Sequence, residues 1–419
     1  MEHIANDSDP LPPADVHVIG GGLGGLAAAA LVARSGRSVV LHEQLGSLGG
    51  RAVTDDVDGF RFNRGPHALY SGGEAVAVLR RLGVTPTGSP PSTAGARMAF
   101  AGGTYLAPGD TSSLLRTRLL GLRDKVELAS ALRRLTTLDA ADVATRTVRQ
   151  LVDDVTTRER VAAVVHAVVR LTSYVNAPDE LSADVAVGQL QRAFDGGVVY
   201  LDRGWQQLVD VLAAAVVDAG GSIRTGPIRT GQGLPLRLPD APAVIVAIGG
   251  PTAAAALVDH DYPASIPSHV SSLDLGLRRV PPHRFVIGVD EPIYLSDHGQ
   301  PVGMTPDGAA SVSLANYLAP GDEPDRGRLE AFASRAGIAA DDVVKARYLH
   351  RMTTVTAIAT VDGGGLAGRA DVAVPDRPGV FVVGDWVGRR GHLADAVLAS
   401  AETAATAAIR HLERRPVAR

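Results

Sequence analysis

The sequence predicts an α/β fold of two interleaved parts, one a parallel sheet with flanking helices and the other a mixed sheet with helices. Three observations predict it. A buried strand, a glycine turn and a helix follow one another from Val16 to Ala33. A second strand, Ser38 to His42, ends in the acid Glu43. A late strand, Val380 to Val383, and an alanine-rich helix, Leu393 to Leu412, return to the same style after two long insertions.

The first element is the glycine run Gly20-Gly21-Gly22-Leu23-Gly24-Gly25. Placed between a strand and a helix, with an acid at the end of the next strand, it is a Rossmann-type dinucleotide fingerprint. Gly20 makes the tight turn, Gly22 lets backbone approach a pyrophosphate, and Gly25 lets the helix pack close to the strands. The helix start at Leu23 and Gly24 offers free N–H groups and a partial positive charge to phosphates. Glu43 stands where a carboxylate accepts hydrogen bonds from a ribose diol, with Gln44 beside it.

Further along, a helix is expected from Gly72 to Leu82, another from Gln206 to Asp218, a strand from Ser222 to Thr225 and a buried strand at Ala243 to Ile248. Residues 270–318 alternate apolar and polar, as strands of a second sheet do. Residues 325–346 are expected to return to helix. Leu114 to Leu135 spaces Leu115, Leu119, Leu122, Val126, Leu132 and Leu135 for one helical face. Its other face is basic. The plainer reading is a surface helix pair of a cap domain; the sharper one is a peripheral membrane contact, against which Asp124 and Glu127 interrupt the basic face.

Composition narrows the function. The net charge is −4 with acids and bases mixed, and nothing in it suggests nucleic-acid binding. There are no cysteines, so disulfides, thiolate metal sites, thiol redox pairs and cysteinyl flavin links are excluded. No metal-ligand spacing is present. The acidic, proline-rich residues 1–14 read as a disordered leader and not as a targeting signal, so the expected location is cytoplasmic.

Gly49-Gly50-Arg51, then Phe62-Asn63-Arg64-Gly65-Pro66-His67, then Gly384-Asp385-Trp386 before the last helix decide between nucleotide cofactors. Together with the fingerprint they resemble the flavin-dependent amine oxidase, protoporphyrinogen oxidase and phytoene desaturase superfamily. Leu171 to Pro178 and Tyr200 to Trp205 look like its bacterial phytoene desaturase-like branch, which usually has glycine where this chain has Arg203. The resemblance implies an FAD-binding domain from 15–75, 196–262 and 347–415, and a substrate or cap domain from 76–195 and 263–346. It implies non-covalent FAD, with Gly50 and Arg51 at the pyrophosphate and Gly65, Pro66 and His67 along the flavin ring. Asp385, after Gly384, would hold the ribitol, and Leu393 and Ala394 would open a helix at the pyrimidine edge. Ile228 and Ala247 complete the cofactor set. His67, Tyr174 and His392 are the candidate catalytic residues, and Asn176, Tyr200 and Trp205 candidate cavity residues.

The same resemblance implies dehydrogenation of a large apolar substrate, with dioxygen, a quinone or another compound as electron acceptor. Alternatives are an isomerase or saturase with no net oxidation, an amine oxidase, and a flavin-free lipid-binding chaperone like the Rab escort proteins. Many amine oxidases place a lysine on a substrate-domain strand near flavin N5. Residues 270–290 contain none, and Lys125 and Lys345 lie in expected helices. A control sits in the same chain. Gly363-Gly364-Gly365-Leu366-Ala367-Gly368 fits the glycine pattern, but Arg369-Ala370-Asp371 follows it in place of an apolar helix. It reads as a flexible loop, so no second nucleotide site is expected.

Overall fold

The computed structural model describes residues 12–226 and 238–414. Most of the leader and the expected cofactor contact Ile228 lie outside the described residues. The strands are β1 Val16–Ile19, β2 Val39–Glu43, β3 Thr54–Val57, β4 Phe60–Asn63, β5 Leu69–Tyr70, β6 Gly88–Ser89, β7 Arg97–Phe100, β8 Gly103–Leu106 and β9 Val198–Leu201. They continue as β10 Ser222–Thr225, β11 Ala243–Val246, β12 Ser268–Leu277, β13 Phe285–Gly288, β14 Ile293–Asp297, β15 Ala310–Leu318, β16 Val343–Val355 and β17 Val380–Val382. The helices are α1 Leu23–Arg34, α2 Glu74–Arg81, α3 Thr111–Arg116, α4 Leu122–Thr137, α5 Val148–Val155 and α6 Glu159–Ser173. After them come α7 Ala183–Asp195, α8 Gln206–Asp218, α9 Pro251–Val258, α10 Arg326–Arg335 and α11 Ala394–Arg414.

Five parallel strands run in the order β10-β2-β1-β11-β17. Such a sheet is covered on its faces, and its strands are accordingly near-continuous apolar runs. Helix α1 packs against α8 and α11. Small side chains make that approach possible: Ala27 to Ala30 on α1 and Ala401, Ala404, Ala405 and Ala408 on α11 are all buried. A Cβ on Gly25 would stand 1.8 Å from the Gly20 carbonyl oxygen, so the helix can begin against the turn only with glycine there.

The second sheet has seven strands, β16-β12-β15-β14-β13-β7-β8, antiparallel except where β13 meets β7. A small sheet, β5-β9-β6, lies apart from both large ones. Helices α4 to α7 form their own cluster.

Three expectations are corrected. Residues 325–346 are not one helix: α10 ends at Arg335, Gly337 turns the chain at φ +87°, and Val343 opens a 13-residue strand. Lys345 therefore lies on a strand, paired with Asp58. The same strand carries residues 347–355 into the seven-stranded sheet, across the expected domain boundary. The segment Leu114 to Leu135 belongs to a helix pair, as the plainer reading had it, but does not keep one apolar face, because Asp124 accepts the Gly121 N–H at 3.0 Å and starts a new helix there. That reset leaves Leu119, Leu128 and Leu135 buried but Leu115, Leu122 and Val126 in solvent. Finally, 363–368 is a tight turn and not a loose loop: a Cβ on Gly368 would sit 1.6 Å from the Gly363 oxygen, and Asp184 accepts the Leu366 N–H at 2.9 Å.

Candidate functional site

The glycine turn is built around Glu43. One carboxylate oxygen accepts the Gly21 N–H at 2.7 Å and the other the Leu45 N–H at 2.9 Å. The acid thus shapes the turn, and Gln44 is exposed beside it. The Gly49 N–H donates to Gly21 at 2.8 Å, which seats the Gly-Gly-Arg segment on the turn. Gly22 has an ordinary φ of −74° and a Cβ there would meet nothing within 4 Å. Helix α1 starts with no side-chain cap. Open space outside Gly22, a helix start that no side chain caps, and the Gly50-Arg51 segment close by could hold a diphosphate.

From there the site continues to Asp385. The Arg51 guanidinium reaches the Asp385 carboxylate at 2.9 Å. Thr356 donates both its hydroxyl and its N–H to the same carboxylate. Burial pushes the Asp385 carboxyl up, but Arg51 and the two Thr356 hydrogen bonds outweigh it and hold the group below the usual carboxylate range. Asp385 is therefore an ionised, buried acceptor. Thr356 belongs to no recognisable motif, and the sequence reading missed it. Ala247 closes the other side of the turn, donating its N–H to Ile19 at 2.8 Å. Gly384 is buried and lies against the Trp386 indole, where a Cβ would collide.

The Asn63-Gly65 segment is fixed from the second sheet. Arg347 on β16 donates to the Asn63 carbonyl, pairs with Asp55 and Asp274, and stacks over Phe62. Gly65 sits at φ +96°, and a Cβ would meet the Met352 thioether at 3.3 Å. Pro66 is buried. His67 donates from Nδ1 to the Gly65 carbonyl at 2.8 Å and lies against Trp205. Burial lowers its pKa to about 4, so the ring is neutral near pH 7.

Tyr174, Tyr294 and Tyr317 form a buried cluster with Val270 and Ala315, flanked by Leu171, Met352 and Leu393. Tyr174 ends α6 in the left-handed region at φ +58°, and Asn176 donates to the Tyr317 carbonyl at 3.0 Å. Tyr200 stacks on His298 at 4.1 Å and hydrogen-bonds Ser296. Arg203 adopts φ +57°, a conformation glycine accepts without strain, which accounts for the glycine usual at that place. The sequence reading missed Arg347, Tyr294, Tyr317 and Met352, all on strands far along the chain from the motifs they meet, and His298, which follows the end of β14.

His392 is buried, and its ring is tied at both nitrogens. Nε2 donates to the Ser173 carbonyl at 2.8 Å, and Nδ1 faces Arg369 at 3.3 Å. Both ring nitrogens thus face protein groups, which does not suit the catalytic role expected of it. Leu393 then takes φ +53° and opens α11 at Ala394. Among the described residues the Leu393 and Ala394 N–H groups meet no acceptor.

Asp395, in the first turn of α11, caps a different helix by accepting the Ala75 N–H at 2.8 Å. Its second oxygen is buried without a partner. Burial raises its pKa to about 6. The folded value lies above the unfolded one, so the native state holds an extra proton between about pH 4 and pH 6. Stability from this group is full below that window and is lost as pH rises through it, by about 2–3 kcal/mol. Asp395→Asn is expected to flatten that part of the Tm-against-pH curve, measured between pH 4 and 7.

Comparison with known proteins bears on the family and the fold. The sequence profile of flavin containing amine oxidoreductases matches residues 23–276, more than half of the chain. The carotenoid 3,4-desaturase of Haloarcula japonica is 56% identical over 52 residues, 12% of this chain and 10% of that protein. The 4,4'-diaponeurosporene oxygenase of Staphylococcus aureus is 52% identical over 52 residues. The match thus spans about a tenth of these relatives' length. An oxidoreductase structure from Methanosarcina mazei superposes with a TM-score of 0.72 at 18% identity, covering 93% of this chain and 99% of that one. Cyclohexylamine oxidase from Brevibacterium oxydans gives 0.68 at 19%, covering 96% and 100%. At such identities these structures show the fold.

Proposed function

The chain belongs to the flavin containing amine oxidoreductase family, and from that premise we propose that this FAD-dependent oxidoreductase dehydrogenates a large, neutral, apolar small molecule. The FAD is held non-covalently. Gly22, Gly50 and Arg51 would hold its diphosphate, Glu43 the adenosine ribose, Asp385 the ribitol, and Gly65, Pro66 and His67 the ring. When bound, the flavin supplies the two-electron acceptor for a hydride leaving a substrate carbon. The protein's part is to orient that carbon and exclude water.

One observation carries the substrate class. The wall beside Gly65 and Leu393 is Tyr174, Tyr294, Tyr317, Met352 and Leu171, and the charge that acts on it is a cation. Arg170, half-buried at the end of α6, donates to the Gly288 carbonyl at 2.8 Å. Burial lowers its pKa to about 10, so it stays protonated at neutral pH and opposes entry of an ammonium. The short likeness to carotenoid-modifying enzymes supports the same reading. The neutral His67, packed on Trp205, is placed to shape the cavity more than to take a proton.

The test is anaerobic mixing of the yellow protein with a panel of polyenes, porphyrinogens and primary amines. Bleaching by a neutral apolar compound, and not by amines, is expected. Bleaching by amines alone would overturn the proposal. Conversion of a polyene without bleaching would point to the isomerase reading instead.

A membrane contact also has support. Asp124 and Glu127 are turned inward onto Arg158 and Thr157. The outward face keeps Leu115, Leu122 and Val126 with Arg116, Arg118 and Arg123. No helix among the described residues is long and apolar enough to cross a membrane. Flotation with anionic vesicles, but not with zwitterionic ones, is the expected result, and Leu122→Glu/Val126→Glu should abolish it.

A further inference from the structure

The turn that imitates a nucleotide motif delivers a buried cation. Gly363 to Gly368 winds tightly, and Asp184 of α7 holds the Leu366 N–H. Beyond it, Ala370 accepts the Gly388 N–H at 2.8 Å. Between these two anchors stands Arg369, with 9% of its surface exposed. Its Nη1 donates to the Gly391 carbonyl at 2.9 Å and its Nη2 faces His392 Nδ1 at 3.3 Å. Its Nε is buried with no partner. Among the described residues it makes no ion pair; Asp385 and Asp184 act on it only from a distance.

A guanidinium is always protonated, and one buried without an adjacent carboxylate is costly. The same place holds a second source of positive potential. Leu393 and Ala394 present N–H groups without acceptors at the start of the 21-residue helix α11. Asp395 does not cap them, because it is engaged with Ala75 of α2. His392 cannot neutralise the cation either. Its Nε2–H is committed to Ser173, so it offers Arg369 only a neutral lone pair. Two positive elements thus meet at this place, and among the described residues no carboxylate pairs directly with Arg369; Asp385 and Asp184 reach it only through the longer-range field.

We infer that Arg369, positioned by the 363–368 turn, is the buried charge that stabilises negative charge on the pyrimidine edge of the reduced flavin, in concert with the α11 N-terminus. Preorganised positive potential at a place where negative charge develops raises electron affinity without reorganisation. The inference rests on the assignment of that helix end to the flavin under the proposed function. Arg369 is in these terms a positioning and tuning residue: it touches Gly391 and His392, and it acts through its field.

Sulfite is the probe. Its sulfur lone pair forms a bond to flavin N5, and the displaced electron pair settles on the pyrimidine edge, so its affinity reports positive potential there. In the FAD-loaded protein, Arg369→Gln is expected to weaken sulfite affinity at least tenfold and to lower the flavin midpoint potential, with FAD occupancy retained. Arg369→Lys, which keeps the charge but loses the fork, is expected to recover part of both. Should Arg369→Gln fail to fold, Asp184→Asn loosens the anchoring turn and is expected to shift both readouts in the same direction by less. Unchanged sulfite affinity and potential in a folded, loaded Arg369→Gln protein would overturn the inference. A wild-type protein that takes up no FAD would instead overturn the cofactor reading beneath it.

Discussion

Gly22→Val gives a folded protein that does not retain FAD. The two halves of that result come from the same geometry. At φ −74° a valine is unstrained, and nothing lies within 4 Å of the new Cβ, so the protein itself has no reason to unfold. The space it fills is the one outside the uncapped start of α1, where the diphosphate must approach backbone N–H groups. Losing those charge-assisted hydrogen bonds, at about 1.5–3 kcal/mol each, lowers affinity by several orders of magnitude. Gly25 supplies the contrast. Its Cβ would strike the Gly20 carbonyl oxygen, so Gly25→Val is expected to unfold the domain, not merely empty it. Thermal unfolding and the flavin absorbance of the two purified variants separate the cases. A yellow Gly22→Val protein would contradict the assignment.

Asp385→Ala is the second large effect, and it acts on both stability and affinity. The carboxylate is 1% exposed and accepts from Thr356 and Arg51. Removing it leaves the half-buried Thr356 donors without their acceptor, at about 1 kcal/mol. Arg51 is 42% exposed, so its share of the loss is screened and small. Because the folded pKa is depressed, this stabilisation is present above the unfolded pKa and fades as pH falls through the folded one. FAD affinity should drop by about 1–3 kcal/mol as well, if one charge-assisted bond to the ribitol is lost. Urea titration of the apoprotein and an FAD titration measure the two parts independently. Asp385→Asn, which keeps the shape, should cost less in the first and still weaken the second.

The nucleotide half of the molecule was legible because its constraints are local. Gly20, Gly22, Gly25 and Glu43 lie within one strand-turn-helix-strand unit; Gly20, Gly25 and Glu43 each answer a steric or hydrogen-bonding need of that unit, and Gly22 leaves open space beside the helix start. The helix Gln206 to Asp218 and the strand Ser222 to Thr225 were bounded by Trp205, Gly220 and Gly221, and the structure starts and stops them there. Other features were illegible for equally physical reasons. Residues 343–355 carry no turn signal at their start beyond Gly337, and a neighbouring amphipathic helix hid the change of period. The break inside Leu114 to Leu135 depends on one capping carboxylate, Asp124, which reads in sequence as another surface acid. The contacts that fix the Asn63–Gly65 segment and Asp385 come from Arg347 and Thr356. They lie 284 and 29 residues from their partners Asn63 and Asp385, and such pairings are set by the tertiary fold. The repeat at Gly363 to Gly368 shows the converse: a glycine spacing also serves a tight turn when no apolar helix follows it.

The most direct test of the central claim is the visible absorption spectrum of the purified protein, with the supernatant after heat denaturation run alongside. The account predicts a yellow protein that releases FAD on denaturation, with none left on the polypeptide. A colourless protein that takes up no FAD on reconstitution would contradict it.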